Sequence, residues 1–460
     1  MTIGLTKILA TIGPASDSPE MLRKLFNSGV EACRLNFSHG SHEEHAIRIA
    51  RIREVSSSLG IPISIVMDLC GPKVRTENLS YTLTKDEIWT LVPGAGRPGK
   101  FEIGVSHPSL HTLVPKGGRI LLDDGKFEMV VQSVLPNGLQ CQVRDSGILK
   151  PRKAVNTPGI DNGLEILSAK DRADIEFAVD KGIDWVAVSF VRNGQDMRRV
   201  RDFLATKQWN APLIAKIETP LAIANLEDIV HESDGVMVAR GDLGIECPIE
   251  DIPVLQKRII RLAQSHGKLS IVATQMLESM IENPRPTRAE VTDVANAVFE
   301  GSHVVMLSGE TASGKFPLET VQMMRRTLNH AEQDREPMPY RRPEGIGEAG
   351  EILWSALSLQ AHIKAVCVVV ICESQTDVSM AASFGGRAPV IAVCRTNAML
   401  RRSNLYYGIQ PMLVQGQGHS SEFIARAADQ MKNLNIVQAG DQLIFVYHGL
   451  SAIKLIRIPG

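Results

Sequence analysis

Charged side chains follow two consecutive apolar segments of the sequence, and their types suggest a chemistry. Lys216 and Glu218 end the segment "LIAKIE", and Asp242 follows the next segment, "GVMVA", within "RGDLG". Side chains two residues apart on a strand share a face, so Lys216 and Glu218 point the same way. Two carboxylates a few Å apart repel by roughly 4 kcal/mol at an effective dielectric of 20, which favours a cation between them. Oxygen ligands indicate Mg²⁺ or Mn²⁺, and an ammonium beside that ion would stabilise a phosphoryl group during transfer.

The alternative for this charged set is purely structural. Lys216 and Glu218 would then form an ordinary ion pair, and "RGDLG" would be a turn. Because a further carboxylate, Asp242, follows the next strand, the metal site is favoured over this alternative.

Polar and charged residues also follow two earlier apolar segments: Arg34, Asn36 and Ser38 in "CRLNFSHG", and Asp68, Lys73 and Arg75 in "MDLCGPKVRT". The first group alternates onto one face, which sets a guanidinium fork beside neutral oxygens. So many cations at one rim favour a phosphate-rich ligand.

Three histidines, His39, His42 and His45, follow the first of these segments at a spacing of three. On a helix that spacing would form a metal-binding face. The surrounding segment "EEHAIRIARIREV" has the pattern of an amphipathic helix with charged neighbours, which favours solvated histidines instead.

The segment "GETASGKF", which begins at Gly309, has the spacing of a phosphate-binding P-loop and follows a strand. The next residue, Phe316, replaces the Ser or Thr whose hydroxyl would hold magnesium. A tight loop that closes a structural unit is therefore favoured over a P-loop.

A helix is predicted for "PTRAEVTDVANAVFEG", where Thr287 and Glu290 form a capping box ahead of an apolar face. Two hydroxyl residues flank this helix at strand ends, Thr274 in "IVATQ" and Ser308 in "VVMLSGE". Each hydroxyl is as well suited to a proton relay as to a structural cap.

Eight apolar segments alternate with helical patterns: "KILATI", "EACRLNF", "ISIVMDL", "DWVAVSF", "LIAKIE", "GVMVA", "LSIVAT" and "HVVML". This pattern is typical of a parallel sheet covered on both faces, and eight such units predict a closed (β/α)8 TIM barrel. In a TIM barrel the C-terminal ends of the strands face the ligand site, so the charged residues above would meet at the barrel mouth.

The predicted fold class is α/β with three domains. The barrel takes residues 1–70 and 156–326, separated by an insertion at 71–155 whose glycines, prolines and short alternating segments predict an all-β domain. A new α/β pattern follows at 327–460, with "AVCVVVICE", "APVIAVCR", "QPMLV" and "DQLIFVYH" as strands.

Composition limits the function classes. The chain has 460 residues, a net charge of −1 and 5% aromatic residues, which argues against a nucleic-acid groove with stacking platforms. Seven cysteines without a CxxC pair favour reduced thiols over a disulfide framework or a zinc site. The N-terminal segment has no apolar stretch of signal-peptide length, and no uninterrupted apolar run is long enough to span a membrane. We expect a cytoplasmic protein whose partners are small molecules or copies of itself.

Taken together, these motifs resemble pyruvate kinase in order from residue 6 to about 330: "TKILATIGPAS", "CRLNFSHG", "MDLCGPKVRT", "IAKIETP", "MVARGDLG", "ATQMLESM", "PTRAEVTDVANAVFEG" and "MLSGETASGKFP". The resemblance implies a TIM barrel with an inserted β-barrel lid and a C-terminal α/β domain. It implies transfer of the phosphoryl group of phosphoenolpyruvate to ADP, giving pyruvate and ATP, with Mg²⁺ or Mn²⁺ as cofactor, in the last step of glycolysis.

The resemblance also implies residue roles. Glu218 and Asp242 correspond to the magnesium ligands, and Lys216 to the group that stabilises the phosphoryl in transfer. The phosphates correspond to Arg34 and Arg75, and the substrate carboxylate to Gly241, Asp242 and Thr274. The nucleotide side corresponds to Asn36, His39, Arg75 and Lys153. Protonation of the enolate is implied for Thr274 and Ser308.

One departure from the family concerns potassium. Many members hold K⁺ with the equivalents of Asn36, Ser38, Asp68 and the carbonyl of Leu69, and have a glutamate where this chain has Lys73. Members with lysine there resemble a potassium-independent class, in which a tethered ammonium supplies the charge. We expect that this enzyme does not require K⁺.

The other departure concerns regulation. Members controlled by sugar phosphates carry a Ser/Thr- and Gly-rich loop after the first strand of the C-terminal domain, where this chain reads "CESQTDVSMAAS". Glu373, Ser374 and Thr376 remain, but the glycine and a nearby cation are missing from the sequence. Control by fructose 1,6-bisphosphate is therefore not expected, whereas another allosteric effector, or none, stays open. The family is usually homotetrameric, and the helix at 287–300 is a candidate contact surface.

Two other functions compete with this one. A magnesium-dependent barrel lyase acting on phosphoenolpyruvate or a 2-oxo acid would use a similar metal and carboxylate cradle. The lid and the pair Arg34 and Arg75 favour the kinase, since a lyase would not need them. A non-catalytic binding protein would be expected to have lost Lys216, Glu218 or Asp242, and all three are present.

Overall fold

The computed structural model describes residues 4–334, 347–384, 389–415, 421–447 and 452–458. Within the described ranges, no helix has the length and apolar character needed to cross a bilayer.

The first part of the barrel consists of strand β1 (Lys7–Thr11), helix α1 (Pro19–Asn27), strand β2 (Ala32–Asn36), helix α2 (His42–Leu59) and strand β3 (Ser64–Asp68). All three strands carry the apolar segments predicted from the sequence. Helix α2 ends at Gly60, whose left-handed backbone (φ 65°) terminates the helix as a glycine at this position commonly does.

An all-β insertion follows: β4 (Tyr81–Leu83), β5 (Ile88–Pro93), β6 (Glu102–Val105), β7 (Arg119–Leu122), β8 (Phe127–Leu135), β9 (Gly138–Val143), β10 (Gly147–Leu149) and β11 (Val155–Asn156). Six of these strands form one sheet in the order β11-β7-β8-β9-β5-β6, and β10 pairs with β4. Short 3-10 helices at Pro98–Lys100 and Leu110–Thr112 connect them. The insertion has an apolar core of its own. We call this insertion the lid.

The second part of the barrel contains the remaining five barrel strands and their helices: α3 (Ala169–Ala178), β12 (Trp185–Val188), α4 (Gly194–Thr206), β13 (Leu213–Ile217), α5 (Pro220–Ala224), α6 (Leu226–Glu232), β14 (Gly235–Ala239), α7 (Arg240–Glu246), α8 (Ile252–Ser265), β15 (Leu269–Ala273), α9 (Arg288–Glu300), β16 (Val304–Leu307), α10 (Gly309–Ala312) and α11 (Pro317–Asp334). Short 3-10 helices cover Ile249–Asp251 and Glu278–Ile281. The parallel strands close in the order β1-β16-β15-β14-β13-β12-β3-β2, which confirms the predicted TIM barrel.

The C-terminal domain is a five-stranded α/β unit: α12 (Gly347–Ile363), β17 (Cys367–Ile371), α13 (Gln375–Ser383), β18 (Val390–Cys394), α14 (Asn397–Ser403), β19 (Ile409–Leu413), α15 (Ser421–Asn433), β20 (Gln442–Tyr447) and β21 (Ala452–Arg457). Its sheet has the order β19-β18-β17-β20-β21, in which only the last pair is antiparallel among the described strands. The four strands predicted from the sequence are all present. Strand β21 was not predicted.

The C-terminal domain packs against the closed end of the barrel, where the strands begin. Trp185, fully buried at the start of β12, lies with its ring centroid 6.0 Å from that of Tyr406. The apolar core inside the barrel is therefore continuous with part of the C-terminal core. The opposite end, at the C-terminal ends of the strands, is left to the lid and the charged residues, and we call it the mouth.

The capping box predicted for helix α9 is present. Thr287 caps the helix by accepting from the N–H of Glu290, whose carboxylate accepts from the N–H of Thr287. On the apolar face of this helix, Val294, Ala297 and Val298 are buried. A cap of this kind is worth about 1 kcal/mol of helix stability.

Candidate active site

A buried lysine joins three neighbouring side chains at the barrel mouth. The Nζ atom of Lys216 lies 2.8 Å from Glu218 Oε1 and 3.3 Å from Asp68 Oδ1. It also donates a hydrogen bond to Ser189 Oγ at 2.8 Å. Because Glu218 directly follows the last residue of strand β13, the two-residue spacing brings ammonium and carboxylate into contact.

The pKa shifts in this cluster follow from burial and from neighbouring charge. Burial alone would lower the pKa of Lys216, but Asp68 and Glu218 outweigh burial and raise it above its ordinary value. Burial alone would raise the pKa of Asp68, but Lys216 and Arg34 hold it below its usual value. For Glu218, burial and the nearby charge of Asp242 prevail over Lys216 and raise the pKa. Glu218 is therefore a carboxylate short of positive charge.

The segment after strand β14 carries the second carboxylate. Asp242 lies in the first turn of α7, and its charge acts on both members of the buried lysine and glutamate pair. The neighbouring Gly241 donates its N–H to Thr274 Oγ1 at 2.8 Å, and Thr274 Oγ1 donates to the carbonyl of Ala273 at 2.6 Å. Gly241 and Thr274 are therefore in contact, and in this structure both the Gly241 N–H and the Thr274 hydroxyl are engaged within the chain.

Strand pairing brings the second predicted group to the same place. Arg34 Nε lies 2.7 Å from Asp68 Oδ2, and Arg34 Nη1 donates to Thr11 Oγ1 at 3.1 Å. The register of β2 and β3 sets Asn36 directly opposite Asp68. Asn36 Oδ1 accepts from the N–H of Ser38 at 3.1 Å. Arg34 and Asp68 thus join the Lys216 cluster, while the Asn36 side chain also fixes the turn that follows β2.

Lys73 lies on the other side of this cluster. Its Nζ atom is 4.9 Å from the centre of the Phe190 ring, and its charge lowers the pKa that Glu218 would otherwise have. The carbonyl of Leu69, a predicted part of the monovalent-cation set, accepts from Ser189 Oγ at 2.8 Å. Lys73 therefore adds positive charge on the Glu218 side of the site.

The two cations expected on the nucleotide side are attached to the lid connection. Arg75 is exposed, and its Nη1 atom donates to the carbonyl of Arg152 at 3.1 Å. Lys153 forms an ion pair with Asp123 of the lid, with 2.6 Å between Nζ and Oδ1. Both cations are therefore held by the lid chain, so movement of the lid would move them relative to the mouth.

The three histidines do not behave as one set. His39 is exposed, whereas His45 is buried with its ring stacked on Phe37 at a centroid distance of 4.0 Å. His42 Nε2 lies 2.7 Å from Asp174 Oδ1. The expectation of solvated histidines is therefore wrong for His45, because an aromatic face at the end of β2 covers it. Burial also lowers the pKa of His45.

Ser308 begins the loop after strand β16. Its N–H donates to Glu310 Oε2 at 2.7 Å, and Glu310 Oε1 accepts from the N–H of Leu277 at 3.2 Å. The buried Glu310 thus ties the loop after β16 to the loop that contains Thr274. The P-loop-like segment forms the short helix α10, and Lys315 pairs with Glu282 at 2.5 Å.

Sequence reasoning missed the residues that follow strand β12. Ser189 contacts Lys216, and the N–H of Phe190 donates to Glu218 Oε2 at 2.8 Å. The available signal was a serine directly after the apolar run "WVAV", at the C-terminal end of a barrel strand, which is where ligand-facing residues lie.

The residues at the mouth fit a divalent ion. Glu218 is fully buried, its pKa is raised, and Asp242 adds negative charge beside it. Asp242 also lines a cleft between lid and barrel together with Lys73, Asp124 and Glu246. In the part of the chain that the structure describes, no three His, Cys, Asp or Glu residues form a ready-made metal cluster. An ion held by two carboxylates would take its other oxygens from water and substrate, as Mg²⁺ commonly does.

The loop after strand β17 differs from the sequence-based expectation in one respect. Arg395, which follows strand β18, pairs with Glu373 at 2.8 Å, so the cation that seemed missing is present in space. The carboxylate of Asp377 accepts from the N–H groups of Glu373 and Ser374. The cation Arg395 is thus paired with Glu373, and the amides at the start of helix α13 donate to Asp377.

Two protein-family models match the chain, one over the barrel and one over the C-terminal domain. Residues 3–321 match the barrel domain of pyruvate kinase, and residues 350–452 match the alpha/beta domain of pyruvate kinase.

Individual relatives agree with the family matches. The chain is 38% identical over 456 residues to pyruvate kinase 2 of Synechocystis, covering 97% of the chain and 77% of that protein. It is 39% identical over 451 residues to the pyruvate kinase of Geobacillus stearothermophilus, covering 95% of the chain and 76% of the relative. It is 37% identical over 455 residues to that of Agrobacterium vitis, covering 96% and 92%. Among solved structures, a pyruvate kinase from Cryptosporidium parvum superposes with a TM-score of 0.95 at 34% identity, covering 100% of the chain and 97% of that structure.

Proposed function

The chain belongs to the pyruvate kinase family, and we propose that the Lys216 cluster at the barrel mouth is its reacting centre. The enzyme is a phosphotransferase that converts phosphoenolpyruvate and ADP to pyruvate and ATP. The observation that carries the proposal is the contact of a buried lysine with Glu218 and Asp68, beside a further carboxylate, Asp242.

Glu218 and Asp242 are the proposed ligands of Mg²⁺ or Mn²⁺. A divalent ion held by these two carboxylates would supply positive charge for the oxygens of the phosphoryl group. Because the pKa of Lys216 is raised, its side chain stays an ammonium at neutral pH and can donate to the phosphoryl group. Arg34 is held by its ion pair with Asp68, and its guanidinium is the second proposed donor to the phosphoryl group.

The remaining proposed roles follow from position. Gly241 and Thr274 bind the substrate carboxylate, and Thr274 and Ser308 serve the proton transfer to the enolate. The proposed nucleotide-binding residues are Asn36, His39, Arg75 and Lys153. Two of them, Arg75 and Lys153, would move with the lid. A loose phosphoryl transition state is stabilised by correctly positioned cations and by alignment of the donor and acceptor oxygens. Closure of the lid would exclude water, which could otherwise accept the phosphoryl group.

A coupled assay tests this mechanism against a barrel lyase. Pyruvate release from phosphoenolpyruvate is monitored with and without ADP, at fixed Mg²⁺. The kinase requires ADP and forms ATP in equal amount. Pyruvate release at the same rate without ADP, with water taking the phosphoryl group as inorganic phosphate, would contradict the kinase, and consumption of phosphoenolpyruvate that yields neither pyruvate nor ATP would support the lyase.

We propose that the enzyme does not require K⁺. Lys73 carries a fixed positive charge that acts on Glu218, which supports replacement of the cation's charge by the protein. The test is the rate in tetramethylammonium buffer before and after KCl is added. A rate that changes by less than about twofold is expected, and many-fold activation would contradict the proposal.

We propose that fructose 1,6-bisphosphate is not an effector of this enzyme. The pair of Arg395 with Glu373 and the occupied amides at Glu373 and Ser374 support this, since an incoming phosphate would have to displace carboxylates. Titration of the sugar bisphosphate against the phosphoenolpyruvate saturation curve should leave that curve unchanged. Another effector, identified by the same titration, would be compatible with an allosteric enzyme.

A homotetramer is the proposed assembly. Helix α9 exposes Phe299, and strand β21 is a sheet edge with exposed Ile453 and Leu455, both of which are features that a second copy could cover. Light scattering on the purified protein measures the mass directly. The mass of a single chain, independent of concentration, would refute the proposal.

A cytoplasmic location is proposed from the thiols. All seven cysteines are free, and five of them are buried. Free thiols persist in reducing compartments. Cell fractionation followed by the coupled assay tests this, and activity confined to a secreted fraction would contradict it.

A further inference from the structure

The turn that follows strand β12 touches three charged residues at the barrel mouth. It consists of Ser189 and Phe190, and we call it the β12 turn. Its hydroxyl contacts Lys216, its amide contacts Glu218, and its aromatic ring lies below Lys73. None of the roles proposed above uses it.

The hydrogen bonds of Ser189 have a defined direction. A serine hydroxyl has one proton, and two acceptors lie near Ser189 Oγ: the carbonyl of Leu69 at 2.8 Å and Asp68 Oδ1 at 3.5 Å. We assign Ser189 Oγ as the donor to the closer acceptor, Leu69. Its lone pairs are therefore free to accept from Lys216 Nζ, also at 2.8 Å. The side chain is buried, so water does not compete for either bond. Ser189 thus works as an oriented, neutral acceptor for the ammonium.

The backbone around Ser189 is held in one conformation. Phe190 has a left-handed φ of 57°, which is rare for a bulky residue and persists only where the surroundings enforce it. Gly71 also has a left-handed φ (70°), and a Cβ added there would lie 2.8 Å from Ser189 Cβ. The β12 turn is therefore packed against the end of strand β3 with no room for adjustment.

The partners of Lys216 differ in how much they are shared. Glu218 Oε1 is an oxygen that a divalent ion would compete for, and Asp68 is already bound to Arg34 at 2.7 Å. Asp68 is also the more distant partner of Lys216, at 3.3 Å. Ser189, in contrast, is a partner of Lys216 that is shared neither with a metal ion nor with a second cation in this arrangement.

We propose that Ser189 is a positioning residue for phosphoryl transfer, which it serves by aiming the ammonium of Lys216 at the phosphoryl group. This inference rests on the role proposed for Lys216. A serine with a purely structural role would need only its hydrogen bond to the Leu69 carbonyl. Ser189 in addition accepts a hydrogen bond from the ammonium of Lys216.

The test compares three variants with the wild type. Ser189→Ala removes the acceptor, Ser189→Cys keeps a weaker acceptor at the same place, and Ser270→Ala removes another fully buried hydroxyl, near the start of β15 at the closed end. For each variant, kcat, the KM for phosphoenolpyruvate, the affinity for Mg²⁺ without substrate and the thermal midpoint are measured.

The expected result is a fall in kcat of about 10- to 100-fold for Ser189→Ala, the cost of losing a hydrogen bond to a charged group. The KM for phosphoenolpyruvate and the Mg²⁺ affinity stay within about threefold, because the variant removes only the Ser189 hydroxyl and keeps the Phe190 amide that donates to Glu218. Ser189→Cys falls in between, and Ser270→Ala keeps the wild-type kcat.

A kcat within about threefold of wild type for Ser189→Ala would overturn the inference, as would a rise in KM at constant kcat. If Ser189→Ala does not fold, Ser189→Cys is judged by the same criteria. Lys216→Met separates this inference from its premise. If Lys216→Met keeps wild-type kcat, the role of the ammonium itself fails, whereas an inactive Lys216→Met beside a fully active Ser189→Ala refutes only the role of Ser189.

Discussion

The two ends of the barrel each bury a lysine, and the two lysines have opposite surroundings. At the mouth, Lys216 faces two carboxylates and a serine hydroxyl, and its pKa is raised. At the closed end, Lys7 donates to the backbone carbonyls of Gly4 and Ile409, and burial prevails over the carboxylates near it, so its pKa is lowered. Lys7 donates from the barrel to the carbonyl of Ile409 in the C-terminal domain, while Lys216 is kept charged at the barrel mouth.

The buried carboxylates show the same contrast. At the closed end, Asp184 accepts from Arg53, Arg401 and the N–H of Ile65, so its oxygens are engaged by donors of the chain. At the mouth, Glu218 accepts from one amide and one ammonium, and a further carboxylate stands nearby. The buried charge of Asp184 is thus neutralised within the fold, whereas that of Glu218 is left for a ligand to neutralise.

The largest effect expected from this contrast concerns the two lysines. Lys216→Met should lower kcat by about 10³-fold or more, because placed cations supply most of the stabilisation in phosphoryl transfer. Lys7→Met should keep kcat within about threefold and act on stability instead, since its partners are backbone carbonyls. Steady-state kinetics and thermal unfolding of both variants measure this, and equal losses of kcat would break the comparison.

The next effect concerns the two carboxylates. Glu218→Gln should weaken Mg²⁺ binding by about 100-fold, because it removes one charged ligand of an ion held by two carboxylates. Asp184→Asn should leave Mg²⁺ affinity unchanged and lower the free energy of unfolding by about 3 kcal/mol, since it removes the anion between two arginines. Titration calorimetry and denaturant unfolding separate the outcomes. Loss of Mg²⁺ binding in Asp184→Asn would show that the closed end is not merely structural.

A smaller effect is expected from pH. The raised pKa of Glu218 means that protons compete with Mg²⁺ for its carboxylate up to a higher pH than at an ordinary glutamate. Mg²⁺ affinity should therefore rise with pH by as much as about tenfold per unit below that pKa, and level off above it. Calorimetric titrations at several pH values measure the slope, and in Glu218→Gln that slope should disappear. A wild-type affinity that levels off at or below the pH at which an ordinary glutamate becomes fully ionised would contradict the shift.

Much of the fold and of this site could be predicted because both depend on periodicity. Continuous apolar strands alternating with helices indicate a barrel, and the barrel rule sends strand ends to one mouth. The two-residue spacing of Lys216 and Glu218 then suffices to place both side chains on one face. The structure has them 2.8 Å apart, in the ion pair that the structural alternative described. The neighbouring strands β2 and β3 bring Arg34 to Asp68 in the same way.

The parts that were missed depend on backbone conformation and on contacts far apart in sequence. The left-handed φ of Phe190 turns an amide toward Glu218, and no sequence pattern signals such a conformation in a phenylalanine. His45 was expected in solvent, but Phe37 covers it across the turn after β2. Arg395 meets Glu373 only because strands β17 and β18 are neighbours in the sheet.

The most direct test of the account is the position of a bound divalent ion. Crystals soaked with Mn²⁺ and phosphoenolpyruvate, and measured for anomalous scattering, should show an ion within about 2.3 Å of an oxygen of Glu218 and of Asp242, with Lys216 facing the same phosphoryl group. An ion bound elsewhere at the mouth, or one that leaves both carboxylates without contact, would contradict the assignment of the reacting centre.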